Sequence, residues 1–166
     1  VIRYTLDGSV PTNTSTVYPN QLSISSNSRV RARVFEPGLS SGPVVSHAYF
    51  FADASLQGFD SNLPLILIDS FGQNFVNGDD LKPVYSVFID TNTTGRADIL
   101  GPADYAGRGR LKIRGSFSAM FSKKAYAFET WDEDDQDRSV PLFGLPADSD
   151  WVLYAPYMDK TLIRNY

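Results

Sequence analysis

The residues best suited to chemistry are cations grouped about a small-residue turn. Within residues 111–126, Arg114 precedes Gly115-Ser116, and Lys123 and Lys124 follow after a short bridge. Leu111 and Ile113 alternate with Lys112 and Arg114, the period of a half-buried strand, and a second strand follows Lys124. Cations beside a turn with free backbone N–H groups are an anion or phosphate environment. An ordinary hairpin with solvated Lys and Arg has the same pattern, and both readings stay open on the residues alone. In the second strand, alternation sorts Lys124, Tyr126 and Phe128 onto one face, which their bulk marks as the core, and Lys123, Ala125, Ala127 and Glu129 onto the other. A lysine beside small residues leaves room for a flat ligand, which favours Lys123 over Lys124. Protein kinases space an Ala and a Lys two apart on a strand to meet phosphates; here the order is reversed.

Other catalytic sets are hard to assemble. His47 is the only histidine and there is no cysteine, which disfavours Ser-His and Cys-His pairs and zinc sites. There is no GxxxxGK[ST] motif. Residues 132–137 carry five carboxylates in six positions. Asp132, Asp134 and Asp137 are metal candidates for a hard cation, but the run lacks the Gly and distal Glu of a calcium loop. The preferred reading is a solvated hairpin loop.

The positioning elements read as strands. With 42% hydrophobic and 13% aromatic residues in 166, the chain can bury a core in one large or two small domains. A net charge of −4 argues against a general nucleic-acid binder. No apolar run approaches the ~18 residues that span a bilayer. The chain opens on Val1 in strand pattern and closes on Tyr166 in mid-pattern, which reads as a piece of a longer protein. Residues 1–51 show short alternating segments between polar turns, the pattern of a small immunoglobulin-like β-sandwich. Arg29, Arg31 and Arg33 share one face of one such strand, read as its solvated outer side. Residues 52–62 form a connector. Strands are predicted at 63–69, 83–90 and 150–155, with a Gly-rich approach at 101–109 leading into the cationic hairpin. Asp159 is placed to N-cap a helix over the last residues. The expected class is mainly β, or α+β if that helix continues. Asn13 and Asn92 begin N-glycosylation triplets, read as chance matches in turns.

Two resemblances follow. Tyr4-Thr5-Leu6-Asp7-Gly8-Ser9-Val10-Pro11-Thr12, Tyr18-Pro19, Val30-Arg31-Ala32 and Ala48-Tyr49-Phe50 resemble the chitobiase/β-hexosaminidase C-terminal-like module, with its first strand missing. Such a module implies no chemistry of its own. Lys112-Ile113-Arg114-Gly115-Ser116-Phe117-Ser118, Lys123-Lys124-Ala125-Tyr126, Leu142-Phe143-Gly144-Leu145, Asp150-Trp151-Val152-Leu153-Tyr154 and 157–165 resemble, in order, the CotH kinase family, named for a spore-coat protein. That resemblance runs from residue 63 to the end.

The second resemblance implies the β-rich front portion of an atypical protein-kinase-like domain that binds ATP with Mg²⁺ and phosphorylates proteins. On that analogy Arg114, Gly115, Ser116 and Ser118 lie near the nucleotide, Lys123 or Lys124 meets phosphates, and Arg164 and Asn165 sit on a helix that shapes the site. The family's metal-binding and catalytic carboxylates fall after that helix, so the fragment itself is expected to be inactive. Together the two resemblances imply an exported bacterial protein, extracellular or at the cell surface. The alternative from another class is a non-catalytic surface protein whose partner is a carbohydrate or another surface structure.

Overall fold

The computed structural model describes residues 1–78, 80–159 and 161. It is mainly β, built from two larger antiparallel sheets and a small one.

The first sheet is made by β1 (Ile2–Thr5), β2 (Thr16–Val17), β3 (Ser28–Val34) and β4 (Val44–Tyr49), in the order β2-β1-β3-β4. Residues 1–49 thus form a single four-stranded sheet, where the sequence pattern predicted two facing ones. Alternation shows that a strand has an inner face without showing what covers it, and here the cover comes from the rest of the chain. The arginine face is a second correction. In the register Arg29, Arg31 and Arg33 stand opposite Ala48, Ser46 and Val44. That face is the inner one: Val44 is buried and Arg31 is only 3% exposed. Its apolar counterpart, with Ile2, Val34, Val45 and Tyr49, is the exposed side.

The second sheet has five strands: β6 (Leu65–Asp69), β7 (Lys82–Ile89), β9 (Tyr105–Arg114), β10 (Ala125–Trp131) and β11 (Asp150–Leu153). Their order is β11-β10-β9-β7-β6, all antiparallel. Between them β5 (Asp60–Ser61) and β8 (Ala97–Asp98) pair as a short ribbon. One face of the five-stranded sheet carries the core: Val84, Phe88, Leu111 and Phe128, roofed by Val140 and Leu142 from the loop before β11. Phe88 and Phe128 meet with ring centroids 5.6 Å apart. Burying each such ring contributes about 2–3 kcal/mol relative to leaving it in water. The roof is clamped by mutual backbone bonds between Val140 and Asp148, at 3.0 and 3.3 Å.

The Gly-rich approach becomes strand in its second half. β9 starts at Tyr105 and includes Gly107 and Gly109. Glycine weakens a strand interior unless something needs the space. A Cβ on Gly107 would fall 2.2 Å from the Tyr105 hydroxyl, and one on Gly109 would fall 2.3 Å from the Glu129 carbonyl and 2.9 Å from the Phe128 ring. The two glycines let β9 lie under the bulkiest side chains of the core.

Candidate functional site

β9 and β10 run side by side with Arg114 opposite Ala125, Lys112 opposite Ala127 and Arg110 opposite Glu129. Tyr126 and Phe128 point to the core face, as alternation predicts, so these cations and alanines share the other face. Two methyl groups beside two long cations leave a low platform with charge along its rim. Arg110 is engaged with Glu129 and lies over the Trp131 ring at 4.7 Å. The side chains of Lys112, Arg114 and Lys123 make no ion pair or hydrogen bond among the described residues.

The connection between the strands is tightly built. Gly115 has φ +96°, and a Cβ there would meet the Ser118 hydroxyl at 2.1 Å. Both facts require glycine. A 3₁₀ turn, Ser118–Met120, follows. Ser116 is exposed and Ser118 half-buried. Lys123 and Lys124 lie just before β10, not in it. The Lys124 ammonium donates to the Ala119 carbonyl at 2.5 Å and so closes the connection on itself. Lys123 is exposed. Phe121 stacks on Tyr157 with centroids 4.8 Å apart, tying the connection to the segment after β11. The Asp159 carboxylate is buried and accepts from the Thr161 backbone N–H at 3.2 Å and its hydroxyl at 2.6 Å, the bonding of an N-cap. The predicted helix, with Arg164 and Asn165, lies outside the described residues.

The acidic run is dispersed. Asp132 accepts from the backbone N–H groups of Gln136 and Asp134 at 3.0 and 2.8 Å, which holds its carboxyl below the usual range. Asp135 pairs with Arg108, and Asp137 lies 3.9 Å from Arg110. Glu133 leaves the loop altogether. Its carbonyl accepts from Arg31 at 2.5 Å, and its carboxylate accepts from the Ser46 N–H at 3.1 Å and from the Ser46 hydroxyl. The run is thus the solvated hairpin loop expected from the sequence, with residues 134–137 exposed, and Glu133 alone turns it into a clasp between the sheets. Among the described residues no three His, Asp or Glu side chains gather as a cation site.

A second concave region was missed by sequence reading. A cavity of about 380 Å³ opens between the two large sheets. Its floor is the row Tyr85, Arg108 and Trp131, neighbours across β7, β9 and β10. Its roof is Arg29, Arg31 and Ser46 from the first sheet, with the Asp7-Gly8-Ser9 turn at the side. The signal was present as arginines at alternate positions of β3, but alternation alone does not say which face is inside.

Residues 111–166 match the family described as CotH kinase protein. The CotH match covers the hairpin, the acidic loop and β11. Residues 1–49 match the model described as Fn3 associated, over the range of the first sheet. Residues 50–110 fall outside both matches, yet they supply β6, β7 and half of β9 to the sheet that carries the matched strands. No curated protein and no solved structure matches the chain. Among the described residues, no helix is long and apolar enough to cross a membrane.

Proposed function

We propose that the parent protein is an exported CotH-type kinase and that this chain supplies the phosphate-facing part of its nucleotide site. The observation that carries the reading is the β9–β10 platform, where Lys112 and Arg114 stand opposite Ala127 and Ala125 with no partner among the described residues. Unpaired cations beside small side chains accept the phosphates of a flat ligand without losing an internal ion pair. Lys123 extends the cationic rim, whereas Lys124 serves the connection by holding the Ala119 carbonyl. Gly115 and Ser116 place a left-handed turn at the end of this rim. The described residues thus fit phosphate. They offer no clustered carboxylates for Mg²⁺, so the reading assigns it no ligand here. The first sheet, matched to an Fn3-associated module, acts as an accessory unit held against the kinase-like part through Glu133.

The test is differential scanning fluorimetry of the full-length protein with Mg-ATP, as wild type and as Arg114→Ala with Lys112→Ala. A saturable rise in melting temperature that the double variant loses supports nucleotide binding. No rise in the intact protein overturns it and leaves the non-catalytic surface protein, whose partner a glycan array would then seek.

A further inference from the structure

The cavity between the sheets, distinct from the hairpin platform, holds a surplus of buried hydrogen-bond donors. Arg31 pairs through its terminal nitrogens, with the Glu133 carbonyl at 2.5 Å and, more loosely, the Gly8 carbonyl at 3.4 Å. Arg108 spends its terminal nitrogens on the Asp132 carbonyl and Asp135. Left over are the Nε of Arg29, the Nε of Arg31 and the indole Nε1 of Trp131, each buried and without a partner among the described residues. All three residues line the cavity. Buried polar groups are rarely left unsatisfied, because the lost hydrogen bond costs about 1–3 kcal/mol each. Three orphans of one kind in one cavity ask for acceptors, and all three are donors only.

The protein backbone is shaped for this arrangement. Gly8 has φ +83°, and a Cβ there would lie 2.9 Å from Arg29 Nε. Only glycine lets the turn close beside that guanidinium. Among the described residues the Arg29 side chain makes no hydrogen bond; it rests on the Phe71 ring at 4.2 Å, which steers the guanidinium. Burial, and then the neighbouring Arg108 charge, holds Arg31 below the usual arginine range, so an added negative charge would relieve the site. Asp7 and Asp135 at the rim limit how much charge it accepts.

The geometry points to a binding site for a small organic molecule bearing one oxyanion, a carboxylate or a phosphate monoester, whose oxygens accept from Arg29, Arg31 and Trp131. The cavity lies at the small end of the range of small-ligand pockets, roughly 300–1,000 Å³. It is about the size for one sugar-like unit with its acidic group. Since both sheets supply donors, occupancy also ties the first sheet to the second.

Isothermal titration and thermal shift with three probes test this: glucuronate, glucose 6-phosphate and neutral glucose. At least one acidic probe is expected to bind saturably and raise the melting temperature, with glucose silent; which one binds separates carboxylate from phosphate. Trp131→Phe removes the indole donor, and Arg29→Gln removes the guanidinium with its charge and its Nε donor, from the cavity wall. Each is expected to weaken binding about fivefold or more, the worth of one lost hydrogen bond. If a variant does not fold, the other carries the comparison. Absence of saturable binding by both acidic probes, equal binding of glucose, or unchanged affinity in the folded variants would overturn the site. The Lys112→Ala, Arg114→Ala protein should bind the acidic probe as wild type does, which keeps this site separate from the proposed nucleotide platform.

Discussion

Arg31 and Glu133, 102 residues apart, meet where the two large sheets face each other. The arginine is 3% exposed and its terminal nitrogen donates to the glutamate's own carbonyl at 2.5 Å. The glutamate carboxylate passes on to Ser46, which stands opposite Arg31 in the β3–β4 ladder. A single residue of the acidic loop thus takes hold of neighbouring positions on two strands of the first sheet. Asn27 adds a second tie, donating to Asp69 at 2.5 Å while accepting from the Phe51 N–H at 2.7 Å.

Glu133→Ala should loosen that contact. It removes the acceptors of the Ser46 N–H and hydroxyl and leaves the Arg31 guanidinium with its two backbone partners, the Glu133 and Gly8 carbonyls. A charged hydrogen bond lost at a half-exposed site costs about 2 kcal/mol. Urea unfolding should show an earlier midpoint, and limited proteolysis should cut residues 50–62 faster. An unchanged midpoint together with unchanged cleavage would mean the contact is incidental.

Gly115→Ala should damage the hairpin by two routes, the positive φ and the collision with Ser118. The backbone component alone is about 1–2 kcal/mol. Combining it with Ser118→Ala should recover the steric part and leave the backbone part. Thermal melts of the single and double variants separate the two; equal losses in both would show that the Ser118 approach has no energetic weight.

Lys124 and Lys123 should behave differently despite being neighbours. Lys124→Met frees the Ala119 carbonyl and is expected to lower stability by about 1–2 kcal/mol. Lys123→Met removes an exposed charge and should stay within about 0.5 kcal/mol of wild type. Denaturant midpoints decide, and the reverse ranking would contradict the placement of the two ammonium groups.

Tyr105 sets an alkaline limit. Its ring packs on Phe88 at 5.9 Å, and burial pushes the hydroxyl from 10.0 up to about 12. The folded state therefore keeps the proton more tightly than the unfolded one. Its contribution is complete below pH 10 and is lost as pH rises toward about 12. Wild type should lose stability across that window more steeply than Tyr105→Phe, as read from urea midpoints at several alkaline values. Parallel curves for the two proteins would show that the hydroxyl ionises without cost.

Much of the candidate hairpin's geometry was legible before any fold was known. The pairing of 111–114 with 125–128 follows from two runs of period 2 around a Gly-Ser turn, and the sorting of Tyr126 and Phe128 onto the core face follows from their size. The glycines of β9 were harder, since a glycine in a strand looks like a loop until the ring that needs its space is in place. Lys124 was read as a core-facing strand residue because nothing local announces that its ammonium will be taken by a carbonyl five residues back.

What the sequence by itself determined is local: where strands alternate, where the chain must turn, and the order of motifs that carries the CotH resemblance. Tertiary structure decided which side of each strand became the inside. Arg31 shows why. Alternation puts it on one face whatever surrounds the strand, but its burial depends on a second sheet and on a glutamate 102 residues away. A period of two is a property of neighbouring residues, whereas desolvation is a property of whatever packs against them.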